Sequence, residues 1–210
     1  MRGCRRLRGL GAFRLILVSA AAVGWSGEAV ATPTPTPERV LVQVLNRASV
    51  SREVLELAQH DVIAIYRDIG VEVVWAETGT ETALSTSRPL LIQIITDALP
   101  HVSEKAMGVA LRGDSAEGSG QFAYVFYGRI RDVGQRSRYP AVTAHILGAV
   151  MAHEMGHLLL PYGHSLTGLM RADWSEQEMQ GPNFTWLRFT RSQGDLIHRH
   201  LAQPEHGSNQ

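Results

Sequence analysis

Two histidines four residues apart, with a glutamate directly after the first, stand at His153-Glu154-Met155-Gly156-His157 inside an apolar run from Ala141 to Leu160. On a helix, residues at i and i+4 share a face, so both imidazoles can reach one tetrahedral Zn²⁺ at about 2.0 to 2.1 Å. Glu154 lies about 100° round the helix from His153, close enough to approach a zinc-bound water without being a ligand. With 9 His and 13 Glu in 210 residues, the three letters at this spacing arise in about 2% of shuffled chains. The surroundings therefore carry more weight than the letters. Charged and basic groups in a helix otherwise built of Ala, Leu, Val and Met are expensive to bury without compensating partners, and a metal is such a partner.

A catalytic zinc needs a third protein ligand and one open position. His164 is the nearest candidate, beyond the helix stop expected at Pro161 and next to Gly163, whose missing Cβ lets the chain turn back sharply. Two carboxylates compete with it: Glu176 and Glu178 lie 19 and 21 residues after His157, at a plausible helix start. A surface capping box from Ser175 to Glu178 accounts for Glu178 without a metal, which favours His164; Asp173 is a weaker candidate.

His153-Glu154-x-x-His157, the later His164 and the Gly168-Leu169-Met170 turn resemble the zinc site and methionine turn of the metzincin metallopeptidases. In that family's pattern a glycine lies three residues after the second histidine and the third histidine six after it; here those places hold Leu160 and Gly163. The resemblance implies histidine ligands at 153, 157 and 164, Glu154 as general base, and Met170 packed below the metal. It also implies a mixed sheet of β-α-β-β-β-β order ahead of the active-site helix. The carboxylate alternative, Glu176 or Glu178, corresponds to thermolysin-like gluzincins.

Other candidates have plainer roles. His145, eight residues before His153, lies about 80° off its face and suits the core or the metal's outer surroundings better than ligation. Tyr162 can offer a hydroxyl to an oxyanion, but surface packing is its expected role. His198, His200 and His206 are expected to face solvent.

The elements that must position these residues follow from periodicity. Val40 to Leu45 suits a largely buried strand. Ser51 is placed as an N-cap, apolar residues recur at helical spacing from Arg52 to Ile69, and Gly70 stands at the C′ position. Val71 to Trp75 and Leu90 to Thr96 are further strands, Gly108 to Leu111 a short edge strand, and Gln121 to Ile130 a strand rich in Phe and Tyr. Pro140 should open the long central helix, which is apolar nearly all round and therefore buried. Capping boxes at Ser175–Glu178 and Thr190–Gln193 mark two helix starts, the second beginning a closing helix at about Arg191 to Leu201. The element order is that of an α+β fold, and the resemblance above implies that it is zincin-like. A twisted mixed β-sheet lies over the active-site helix, and a small C-terminal subdomain carries the closing helix.

Composition narrows the function further. A 44% hydrophobic, 19% charged chain is globular in type, and 20 basic against 20 acidic residues leave no uniform positive field for nucleic acid. Arg2, Arg5, Arg6, Arg8 and Arg14 precede the apolar run Leu15 to Trp25 and an Ala29-Val30-Ala31 cleavage site, the order of an export signal spanning residues 1–31. Eleven apolar residues fall short of the roughly 20 a membrane-crossing helix requires. Cleavage after Ala31 removes five Arg, Glu28 and Cys4, leaving 15 basic and 19 acidic residues and no cysteine. A Thr/Pro spacer follows at 32–37, then a catalytic domain at 38–203 and a loose tail at 204–210.

The expectation is therefore a secreted or periplasmic zinc metallopeptidase with one catalytic Zn²⁺, a peptide or protein substrate, no nucleic-acid partner and no lasting membrane anchor. The second expectation is an exported zincin-like binding module in which the metal is a structural staple.

Overall fold

The first strand, β1 (Glu38–Asn46), and the next, β2 (Val71–Ala76), run parallel, and the helix between them, α1 (Arg52–Arg67), provides the crossover that a parallel pair requires. In this computed structural model the described residues are 37–76, 89–112, 121–139, 141–180 and 187–203, with only the backbone of Glu176 and Gln180 described. The expected export signal, most of the Thr/Pro spacer, Pro140, His206 and the tail lie outside them.

Local chemistry sets the bounds of α1. The Ser51 hydroxyl accepts from the Val54 N–H at 3.4 Å, and Gly70, with φ of +79°, takes the left-handed conformation that ends the turn before β2. Ala58, Val62, Ile65 and Tyr66 form its buried face.

Strand β3 (Leu90–Ile95) adds to the other side of β1, again parallel, with Val44 opposite Ile92. The chain then passes outward to β4 (Gly108–Arg112) before β5 (Gln121–Phe126) returns between β3 and β4. The resulting order is β2-β1-β3-β5-β4, mostly parallel, with β4 antiparallel at one edge.

The long strand expected over Gln121 to Ile130 is shorter than the apolar run suggested. It gives way to a helix, α2 (Tyr127–Gly134), at the point where its partner β3 ends, the last register pair being Ile95 with Phe126. The Gly128 N–H donates to the Thr96 carbonyl at 3.0 Å, which turns the chain out of the ladder. Position-by-position apolarity cannot show where a neighbouring strand stops.

The long helix α3 (Val142–Leu159) spans 18 residues close to the expected range, and all but three of them are buried. Among the described residues no helix is long and apolar enough to cross a membrane. Its apolar circumference is covered by α1, α2 and the inner sheet face, where Val40, Val42, Ile92, Ile94, Ala123 and Val125 are buried. Tyr66, fully buried on α1, donates its hydroxyl to the Ala152 carbonyl at 3.2 Å, beside the first motif histidine.

Two short helices complete the described chain, α4 (Glu176–Gln180) and α5 (Arg191–Leu201). Both expected capping boxes are present. Glu178 N–H meets the Ser175 hydroxyl at 3.3 Å while the Glu178 carboxylate takes the Ser175 N–H at 2.8 Å; Thr190 and Gln193 repeat the exchange at 3.3 and 2.8 Å.

One expectation fails on α5. His198 does not simply face solvent: its Nδ1 stands 2.5 Å from Glu38 Oε2 and its Nε2 2.5 Å from the Ile69 carbonyl. Both neighbours are acceptors, so the ring is satisfied when both nitrogens carry protons. Burial opposes that charge, yet the bonds to Glu38 and Ile69 outweigh it and raise the pKa. His200 is exposed as expected.

Helices α1 and α3 approach closely at Gly148, where a Cβ would lie 2.7 Å from the Ala58 carbonyl oxygen and 2.9 Å from Asp61 Cβ. Gly148→Val should therefore part α1 from α3 and cost about 2 to 3 kcal/mol, read as a lower midpoint in urea unfolding. An unchanged midpoint would show that the two helices are not in this contact.

Candidate metal centre

One helix and the turn that follows it bring three imidazoles together. The last two turns of α3 carry His153 and His157 on one face, and their Nε2 atoms stand 3.0 Å apart. Leu160 leaves the helix in an extended conformation (φ −95°, ψ 143°), as a residue before proline should. The Pro161 to Gly163 turn then brings His164 back to the same point. Its ring centroid lies 5.4 Å from that of His153 and 4.8 Å from that of His157, and ligand nitrogens of all three residues fall within 4.8 Å of one another.

These donors fit a divalent ion. Ligands at about 2.0 to 2.1 Å in a tetrahedron lie roughly 3.3 Å from each other, close to the 3.0 Å between the His153 and His157 nitrogens, and the His164 nitrogen lies within 4.8 Å of both. The protonation states fit as well. The His153 Nδ1 faces the Leu169 carbonyl at 2.8 Å; a carbonyl only accepts, so Nδ1 carries the proton and Nε2 keeps its lone pair for the cluster. Burial pulls His153 down to about 4 against the raising effect of the Leu169 bond, with smaller help from the His157 and His164 imidazoles. Burial, followed by His164 and Arg112, does the same for His157. Both rings are therefore neutral near pH 7, which ligation requires. A metal ion can be held here.

The loop after His164 closes on itself. Ser165 N–H donates to the Met170 carbonyl at 2.7 Å, and Leu169 N–H to the Arg188 carbonyl at 2.9 Å. This returns Met170, fully buried, beneath α3, where a Cβ at Gly156 would come within 2.5 Å of the Met170 sulfur. The glycine inside the motif thus admits the methionine, and the loop that delivers one candidate ligand also orients another through Leu169.

Glu154 sits on the adjoining side, 4% exposed. The Phe126 N–H donates to the Met107 carbonyl at 2.8 Å, so Gly108, Ala110 and Arg112 turn their N–H and C=O groups toward the free edge of β4. Ala110 spends its N–H on the Glu154 carboxylate, and Gly108 lies so close that a Cβ there would meet Glu154 Oε1 at 2.5 Å. Burial nevertheless pushes Glu154 up to about 8, against the lesser effect of Ala110, and Oε2 has no partner among the described residues. A cation held by the adjacent imidazoles would favour the ionised form.

These groups line a cleft of about 1490 Å³ between β4 on one side and the 161–164 turn and α4 region on the other. Val133 of α2 and Arg136, just beyond that helix, also line it. The other candidates fall as follows. Glu178 is outside the cluster and tied to Arg171 and Ser175 at 2.8 Å, the Arg171 guanidinium first among the partners that hold it at about 2. The side chain of Glu176 is outside the described residues. Asp173 and Tyr162 are exposed on the cleft wall. His145 is apart from the cluster, its Nδ1 2.6 Å from Asp61 Oδ2 on α1.

Sequence reading missed three contributors. The Leu169 carbonyl is invisible to it because every residue has one. Trp174 packs edge-on against His153 with centroids 5.4 Å apart, a contact between segments that only the fold brings together. Gly108 was legible as a glycine in a short strand, a sign of close backbone approach, but not as the seat of Glu154. No protein-family model and no curated protein matches this sequence.

The geometry distinguishes the third ligand by substitution. His164→Ala should weaken zinc binding by about 100-fold or more, whereas Glu176→Ala and Glu178→Ala should leave it within a factor of a few, measured by competition with a chromogenic chelator. Loss of metal in either glutamate variant, with His164→Ala unaffected, would transfer the role to the carboxylate.

Proposed function

We propose that the chain is an exported zinc-dependent metallopeptidase of zincin type, in or beside the metzincin clan, hydrolysing peptide bonds with Glu154 as the general base. The observation that carries this reading is the set of three imidazoles beside a buried glutamate on the floor of an open cleft. The five-stranded mixed sheet and the buried Met170 support it, since both agree with what the motif resemblance implies. The cluster offers three protein ligands among the described residues, and one of them, His164, is exposed; structural zinc sites are closed by four.

Zinc bound there supplies Lewis acidity, which acidifies water and polarises a scissile carbonyl. The protein's own groups do the rest. Glu154, held by Ala110, takes the proton from the attacking water and passes it to the departing amine. The free edge of β4 offers the Gly108 N–H and C=O and the Ala110 C=O to an extended peptide, pairing its backbone as an added strand. Met107, Val150 and Trp174 add apolar surface to the cleft lining.

Wild-type protein should hold about one equivalent of zinc and cleave a peptide mixture, with cut sites read by mass spectrometry. Glu154→Ala should keep the metal and lose about 10²- to 10⁴-fold in rate. Full metal with no cleavage by wild type would instead make the ion a staple in a binding module.

A further inference from the structure

We infer that Arg112, at the end of the edge strand, is a positioning residue for the metal centre: its guanidinium replaces the backbone donor that Pro161 cannot supply, fixing the stretch of chain that carries His157 and His164. This rests on the metal-centre reading above.

The need arises in the sequence. In a continuing helix the His157 carbonyl would accept from the N–H four residues later, but that residue is Pro161, which has none. The carbonyl of a candidate ligand is thus left without a helical partner, one residue past the last ordinary bond of α3, Leu160 N–H to the Gly156 carbonyl at 2.9 Å. Arg112 fills the gap. Its Nε donates to the His157 carbonyl at 2.9 Å, and Nη2 donates to the same carbonyl and to that of Leu160. One planar group therefore spans the helix end and the first residue of the turn leading to His164. A lysine ammonium has no comparable fork.

The source of the guanidinium matters as much as its target. Residues Gly108, Ala110 and Arg112 alternate onto the face of β4 that lies on α3, and they meet α3 in order: Glu154 against Gly108 and Ala110, then the helix end against Arg112. The strand that would pair with substrate is therefore also the strand that holds both the general base and the second ligand's backbone. A positive charge at a helix C-terminus is favourable in its own right, so some loss of stability is expected from any neutral replacement. That loss must be separated from positioning.

The test uses the full chain and Co²⁺ as a spectroscopic stand-in for zinc. Wild type should bind Co²⁺ with the visible absorption of a low-coordinate site. Arg112→Ala should weaken that binding by about 10- to 100-fold and alter the band shape, and Arg112→Lys should recover part of the affinity. Arg39→Ala, which breaks the exposed 2.7 Å pair with Glu72 on another strand pair, serves as the control for losing an arginine remote from the centre and should leave affinity and spectrum unchanged. Unaltered Co²⁺ affinity and spectrum in Arg112→Ala, whatever its melting temperature, would overturn the inference while leaving the metal centre standing. Failure of wild type itself to bind Co²⁺ or zinc would overturn both.

Discussion

Polar groups buried in an apolar helix are the constraint on which this structure depends. His153 and Glu154 are 8% and 4% exposed in α3, where an unsatisfied imidazole or carboxylate costs several times what a surface group does. Each neighbour of that stretch answers the cost in part. The Leu169 carbonyl takes the His153 Nδ1 proton, and the Ala110 N–H reaches the carboxylate. What stays without a partner among the described residues is the second Glu154 oxygen, beside a group of converging imidazole nitrogens that could hold a metal ion.

The rest of the fold can be understood as the means of delivering those neighbours. The parallel pairs β1 with β2 and β1 with β3 build a rigid platform, and α1 and α3 pack across it. Insertion of β5 between β3 and β4 moves β4 to the edge, where half of its backbone groups are free to face α3 and the cleft. The proline-ended helix and the closed 165–171 loop then return the chain beneath α3, placing His164 above and Met170 below the same two turns. Loss of the helical hydrogen bond at Pro161 thereby becomes useful: it frees the chain to turn, and an arginine from the neighbouring strand restores what the backbone lacks.

Much of this was legible along the chain, for reasons that particular residues make plain. Ser51, Thr190 and Gln193 disclose helix starts because capping is a bond between residues three apart. The apolar circumference of residues 141–160 marked a buried helix, and the spacing of His153 and His157 placed them on one face of it. The strand expected to reach Ile130 ends four residues early because its end depends on where β3 stops. His198 appeared to be a surface histidine because its partners, Glu38 and Ile69, are 160 and 129 residues away.

Sequence by itself determined what acts over a few residues: the helical face shared by His153 and His157, the adjacent position of Glu154, the break at Pro161 and the glycines that permit a turn. Only the tertiary structure decided what acts across long separations. It brought His164 rather than Glu178 to the cluster, set Ala110 against Glu154, and laid Arg112 on a carbonyl 45 residues further on. The physical reason is range. Backbone geometry ties neighbours together through covalent bonds, whereas distant groups meet only where the packing of a whole sheet and its helices leaves them a common point.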